Sequence, residues 1–482
     1  MVKRIVARAA AFAVMHLHPG CFIRNMAVRS GAVKTREKTA EITVFLTLLL
    51  SVLLSFILAL VSSVRNEAEK LEAELIMDEA LNSCFSEYSQ ELLKRFDLLY
   101  IDTGYRKGPA DISALSEHLR AYIAENCKGR GKAKLPGISF VDAELKQYRL
   151  GSDFEGGGIM NQAVLYIKNK GGTYYLDRIA EAGSGNEPGN DEGEDFLREW
   201  DDCLAKVCMN GVPDNPAQRI RDISYDSSHL LLQGTSGILY KLGYSDVPSK
   251  RSLNKGTYPA EKFSASTDSA IFVEYLLQKL GCYTEAVGEQ ELSCELEYLL
   301  FGEGSDRENL KKTADRLMSH REQLNMRLIL NSPDMLYEAE RLAKESGAGE
   351  EATAALSEAI VYAWAYAEAL IEVNRLLCGG RCEISASRSS FILPIEDLAS
   401  FEDYLGSDGG TGFSYKEYLG IMLNSNPLSD NKRRFMDIVE MDMRRTENGS
   451  FEIDGLVDYI EAEGRFITGN GNEKSIKRAY AY

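Results

Sequence analysis

The side chains able to do chemistry in this sequence are its cysteines, histidines and carboxylates, and their spacing limits the chemistry open to them. Eight of the nine cysteines stand at positions 84, 127, 203, 208, 282, 294, 378 and 382. An even set permits complete pairing in an oxidising compartment. Cys203 with Cys208, and Cys378 with Cys382 across CGGRC, are close enough in the chain to close small disulfide loops. The other reading makes them small buried apolar residues with no tight framework. A zinc site needs closely spaced ligands, yet there is no CxxC pair, and His16, His18, His118, His229 and His320 lie scattered away from the cysteines. No metal and no cofactor is therefore expected. GxSxG, P-loop, HExxH and strand-borne GxGxxG signatures are all missing. Paired carboxylates, as in SCELEYLLFGEGSD, arise by composition in a chain with 73 acidic residues and are expected to face water. An enzyme is not supported.

The segment that stands out is apolar. From Ile42 to Val64 the chain carries no charge. A helix needs roughly 20 apolar residues to cross a hydrocarbon core of about 30 Å, so residues 41–64 read as a transmembrane helix. A secretory signal would be shorter and followed by small residues, whereas Arg65-Asn66-Glu67 follows directly. A buried core helix would be amphipathic. Residues 1–41 hold eight Lys or Arg against Glu37 and Glu41, and residues 65–84 hold two basic and six acidic side chains. The positive-inside rule then predicts a single-pass cell-membrane protein with a cytoplasmic N-terminus and residues 65–482 outside. Of the net charge of −18, the first 41 residues contribute +6 and the rest −24. A charge of that sign repels nucleic acid, which is excluded as a partner.

Along the same helix Thr43, Thr47, Ser51, Ser55, Ala59 and Ser63 recur every four residues as one ridge of small or hydroxylated side chains. Such a ridge suits close helix–helix packing in lipid, against another membrane helix or a second copy. The alternative is that the hydroxyls bond back to their own helix.

Outside the membrane the pattern predicts an α+β, mostly helical region. Helical periodicity continues over 65–100 and recurs at 111–127, 159–170, 259–281, 306–331, 333–346, 350–378 and 413–443. Residues 138–150 and the C-terminal GLVDYIEAEGRFITG and SIKRAYAY alternate like strands. The 350–378 stretch is apolar enough to suggest a second crossing, but Glu358, Glu368 and Glu372 within it favour a core helix. Residues 183–195 form an acidic, Gly-rich linker. The expected organisation is thus a basic leader (1–40), the membrane helix (41–64), a membrane-proximal region led by a long helix (65–182), the linker (183–195), and a mainly helical region ending in strands (196–482).

Two blocks carry a resemblance to a known family. The run from AEITVFLTLLLSVLLSF to RFDLLYIDTGY, and the later LSCELEYLLFGEGSDRENLKKTADRLMSHREQLN, AIVYAWAYAEALIEV and FSYKEYLGIML, resemble the TadE/TadG-like proteins of Gram-positive, clostridial-type bacteria. That resemblance covers most of the chain from residue 40 onward. It implies a minor pilin-like or assembly component of a Tad/Flp-type pilus or secretion system, with the membrane and other pilus components as partners. It also implies a leader cut after a small residue, between Ala40 and Glu41. Here the departure is that Glu41 is the first residue after the cut and Phe45 the fifth, where such substrates carry the glutamate fifth. Met26 is a second candidate start, leaving the basic leader MAVRSGAVKTREKTA.

Overall fold

One helix, α1 (Val33–Phe85), carries the whole chargeless segment. The computed structural model describes residues 33–129, 138–170, 172–182, 193–209, 215–225, 228–232, 246–287, 291–347, 349–446 and 449–482. The leader up to residue 32 and residues 183–192 of the acidic linker lie outside the described residues. The chain divides into two compact units, Met1–Leu71 and Glu72–Tyr482. In the first, the apolar window of α1 is 0 % buried and long enough to cross a membrane. Phe45, Leu50, Val52 and Phe56 all stand fully open to their surroundings.

The second unit runs through α2 (Gln90–Phe96), β1 (Ile101–Asp102), α3 (Ile112–Gly129), β2 (Ser139–Leu150), α4 (Asp153–Lys170), α5 (Tyr174–Ala182), α6 (Gly193–Met209), α7 (Pro216–Ser224) and α8 (Ser228–Leu231). It continues through α9 (Ser269–Lys279), α10 (Glu295–Phe301), α11 (Asp306–Leu330), α12 (Pro333–Glu345) and α13 (Glu350–Leu377). After β3 (Arg381–Cys382) come β4 (Phe413–Ser414), α14 (Tyr415–Ser425), α15 (Leu428–Thr446), β5 (Leu456–Ile467) and β6 (Glu473–Ala481). The architecture is α+β and predominantly helical.

β5 is the centre of the main sheet. It pairs antiparallel with β2 on one side (Ser139 opposite Ile467, Leu150 opposite Val457) and with β1 and β6 on the other (Ile101 opposite Val457, Glu473 opposite Ile467). Its alternate residues Ile460, Ala462 and Phe466 are buried, because a strand sends successive side chains to opposite faces. They form a core with Met77, Ala80 and Leu81 of α1 and with Leu115, Leu119 and Ile123 of α3. Since β2 precedes the acidic linker and β5 follows it, the stretches 72–182 and 196–482 are interleaved in one unit.

The larger core is organised by α13, whose Trp364, Leu370 and Ile371 are buried. The Trp364 indole N–H donates to Leu393 O at 2.9 Å. As the three glutamates suggest, this is a core helix: 78 % of its most apolar window is covered by protein.

Three expected helices differ in extent. Periodicity over 65–100 ran through a break, because α1 stops at Phe85 and α2 starts after Ser89, whose hydroxyl accepts from Leu92 N at 3.2 Å as an N-cap. The expected 259–281 helix shrinks to α9. Residues 264–266 are held out of it by Asn161, which donates to Ser264 O at 2.9 Å and accepts from Ser266 N at 2.6 Å. The 413–443 helix is two, α14 and α15, since Asn426 before Pro427 takes an extended conformation with ψ 147.

Candidate functional site

The ridge on α1 keeps its hydroxyls to itself. Thr47 Oγ1 donates to Val44 O at 2.9 Å, Ser51 Oγ to Leu48 O at 2.8 Å and Ser55 Oγ to Ser51 O at 2.8 Å. Bonded back in this way, the groups are satisfied in lipid and the helix surface stays narrow along that line. Ala40 and Glu41, the two residues flanking the expected cut, fall within the α1 backbone.

The suggested disulfides are not formed. All eight cysteines among the described residues are free thiols. Cys203 and Cys208 sit five positions apart on α6, which turns their Cβ atoms roughly 140° from each other around the helix. Cys203 is buried and donates to Glu358 Oε2 at 3.3 Å, whereas Cys208 is exposed. Cys378 at the end of α13 is exposed and reaches Asn374 Oδ1 at 3.8 Å, while buried Cys382 donates to Glu372 O at 3.4 Å. Burial and Glu358 push the Cys203 thiol up to about 12, and burial and Glu372 do the same for Cys382. Thiols held protonated are poor nucleophiles and poor metal ligands. Among the described residues no three His, Cys, Asp or Glu side chains are placed to hold a metal ion.

Three of the four carboxylates of SCELEYLLFGEGSD do not face water, Glu303 being half-buried and paired with Lys312. Glu295, Glu297 and Asp306 are fully buried. Each closes off backbone donors that no helix or strand uses. Asp306 accepts from Ser293 N at 3.0 Å and Cys294 N at 3.1 Å, and Glu297 from Tyr283 N at 2.9 Å and the Tyr415 hydroxyl at 2.8 Å. Glu295 accepts from Gly281 N at 2.7 Å and pairs with Arg95 at 2.8 Å. Burial pushes Glu295 up to about 8 and Glu297 to about 7. Composition alone hides this, because an acid that satisfies a loop looks like one that meets solvent.

A buried ion cluster joins α11 to α13. Arg321, with no exposed side-chain surface, donates from Nε to Glu372 Oε2 at 2.8 Å, from Nη2 to Oε1, and from Nη1 to Glu383 O at 2.7 Å. Asn325 Nδ2 adds a bond to Glu372 Oε2 at 2.8 Å. One turn back along α13, Glu368 accepts from Ile392 N at 2.6 Å and Leu393 N at 2.8 Å. Burial and the neighbouring Glu372 push Glu368 up to about 8. Glu368 and Glu372 were visible as charges in an apolar helix; their partner on α11 was not.

Glu322, next to Arg321, is buried with its Oε1 lacking a hydrogen-bond partner among the described residues. Burial pushes it up to about 8, offset in part by Arg221. A carboxyl raised in the folded state keeps a proton that the unfolded chain releases from its ordinary value of 4.5 upward. Its contribution is therefore favourable at low pH and is lost as pH climbs toward 8. Glu322→Gln should match the parent near pH 4.5 and exceed it by on the order of 3 kcal/mol at pH 8. Urea unfolding at both pH values measures this, and equal stabilities at pH 8 would contradict it.

These side chains make a densely bonded interior with no nucleophile, base and oxyanion donors converging on one point. Among the described residues the apolar stretch of α1 is a large surface without a covering layer. No curated protein and no solved structure matches the chain. Residues 210–467, more than half of its length, match a family of unknown function, DUF5702, and the chain belongs to that family.

Proposed function

We propose that this protein is a non-enzymatic, single-pass membrane component of a Tad/Flp-type pilus or secretion system, minor pilin-like or an assembly factor, with its N-terminus in the cytoplasm and residues 65–482 outside. The observation that carries the membrane part is the uncovered apolar stretch of α1 from Ile42 to Val64, on a helix whose later turns belong to the core of a folded unit. Orientation rests on the excess of Lys and Arg before it. The pilus assignment rests on the resemblance of the α1–β1 segment and of the later blocks to TadE/TadG-like proteins.

Orientation is tested on native thiols. After mild reduction, a membrane-impermeant maleimide should modify exposed Cys208 and Cys378 in intact cells and reach Cys21 only after lysis. The reverse pattern would invert the topology.

Assembly is tested on the ridge. Replacing Thr47, Ser51 and Ser55 together by Leu keeps length and hydrophobicity but fills the narrow line along which backbones approach. Crosslinking to pilus membrane components, or to a second copy, should fall at least fivefold while the protein stays in the membrane fraction. An unchanged crosslink would leave the second reading, a passive anchor for an extracytoplasmic binding domain. That reading draws on the inward hydrogen bonds of Thr47, Ser51 and Ser55, which need no partner helix.

A further inference from the structure

At the C-terminal end of α13, where the chain turns into β3 and meets the glycine-rich 406–412 turn, lies a cavity of about 330 Å³. Arg375, Arg381, Thr411 and Ser389 line it, together with the carboxylates Glu372 and Glu383. The cavity is shaped around Arg375. A Cβ at Gly380 would stand 2.6 Å from Arg375 Cγ, and one at Gly410 would stand 3.2 Å from Arg375 Cδ and 2.2 Å from Arg381 O. Gly410 also has φ +101, which a residue with a side chain rarely adopts. The two glycines thus leave a slot for the stem of this one arginine, and its guanidinium arrives at the cavity.

What the guanidinium does there is unaccounted for. Arg375 Nε is buried without a hydrogen-bond partner, and the side chain forms no ion pair among the described residues. Arg381 uses Nη1 on Gly412 O at 2.9 Å and on Glu417 at 3.2 Å, with no bond on Nε or Nη2 among the described residues. The carboxylates nearby are already committed: Glu372 to Arg321 and Asn325, and Glu383 to the Thr411 hydroxyl at 2.8 Å. Two cations with unused donors therefore share one cavity, on a chain whose net charge is −18. Guanidinium forks match the geometry of carboxylate and phosphate oxygens.

We infer that this cavity is a binding site for a small oxyanion group, a phosphate or a carboxylate, held by Arg375 and Arg381; the Thr411 hydroxyl donates to Glu383 and the Ser390 hydroxyl to Ser387 O, so the two guanidinium groups carry the recognition. Glu372 stays out of the recognition because Arg321 neutralises it from behind.

Isothermal titration of the detergent-solubilised full chain with inorganic phosphate, and separately with acetate, tests the site. Saturable one-to-one binding of at least one anion is expected, and which one binds identifies the oxyanion. Arg375→Gln and Arg381→Gln should each weaken it at least tenfold. Arg433→Gln, which removes an exposed arginine outside this cavity, should leave it unchanged. Circular dichroism checks that each variant folds, and should Arg375→Gln fail, Arg381→Gln decides, since buried Glu417 keeps its bond from Arg178 at 2.9 Å. Absence of saturable binding for both anions, full affinity in Arg381→Gln, or an equal loss in Arg433→Gln would overturn the inference.

Discussion

Arg321→Met should cost the folded unit about 3–5 kcal/mol, because it strips the guanidinium from Glu372 and leaves that carboxylate buried, among the described residues, with one amide bond from Asn325. Glu368, already raised by burial and by Glu372, would then face that carboxylate without its guanidinium. The pair itself is a different matter. Removing both ends, Arg321→Met with Glu372→Met, deletes the desolvation cost along with the attraction, and should recover most of the loss. Equilibrium urea unfolding of parent, single and double variants measures both effects. A single variant within 1 kcal/mol of the parent would show that packing around Leu370 and Trp364, not the ion cluster, holds α11 against α13.

Charges at the middle of the apolar stretch should have the second large effect. Leu53→Arg with Leu54→Asp places two ionised groups near the bilayer centre, at about 2.5–3.5 kcal/mol each on insertion scales. Both leucines are exposed, so the fold has no stake in them. The parent should remain in the pellet after alkaline carbonate extraction and the double variant should move to the supernatant. Leu71→Arg, on an exposed position of the same helix beyond the apolar stretch, should stay with the membrane. A double variant that still sediments would remove the spanning role of α1.

Long elements with strict periodicity were legible in the sequence. α11, α12 and α13 fall within one residue of the expected limits, and β2, β5 and β6 follow the alternation read from their residues. In each, burial of a face demands a repeating pattern, which one sequence suffices to display. Breaks were less legible. Ser89 as a cap acts through one hydrogen bond and Asn161 as a clamp through two, and the latter are made to a segment about 100 residues away. Candidate chemistry divides the same way. The hydroxyl ridge follows from spacing on one helix, whereas the partners of Glu372 and Glu297 come from turns and helices that no local pattern connects. Reading acids as solvated failed at Glu295, Glu297 and Asp306 for that reason: their backbone donors are set by loops, whose course periodicity does not describe.

The placement of β5 between β2 and β6 has a consequence for how the protein is made. β2 leaves the ribosome about 300 residues before β5, a lag of roughly 15–60 s at 5–20 residues per second. Throughout that interval the inner face of β2, with Ala143 and Leu150, has no neighbouring strand, and Met77 and Leu81 of α1 have no sheet to cover. The core built around β5 therefore closes last, when β5 and β6 appear. During synthesis the nascent chain carries an open strand edge, and any agent that guards it must act before β5 is complete.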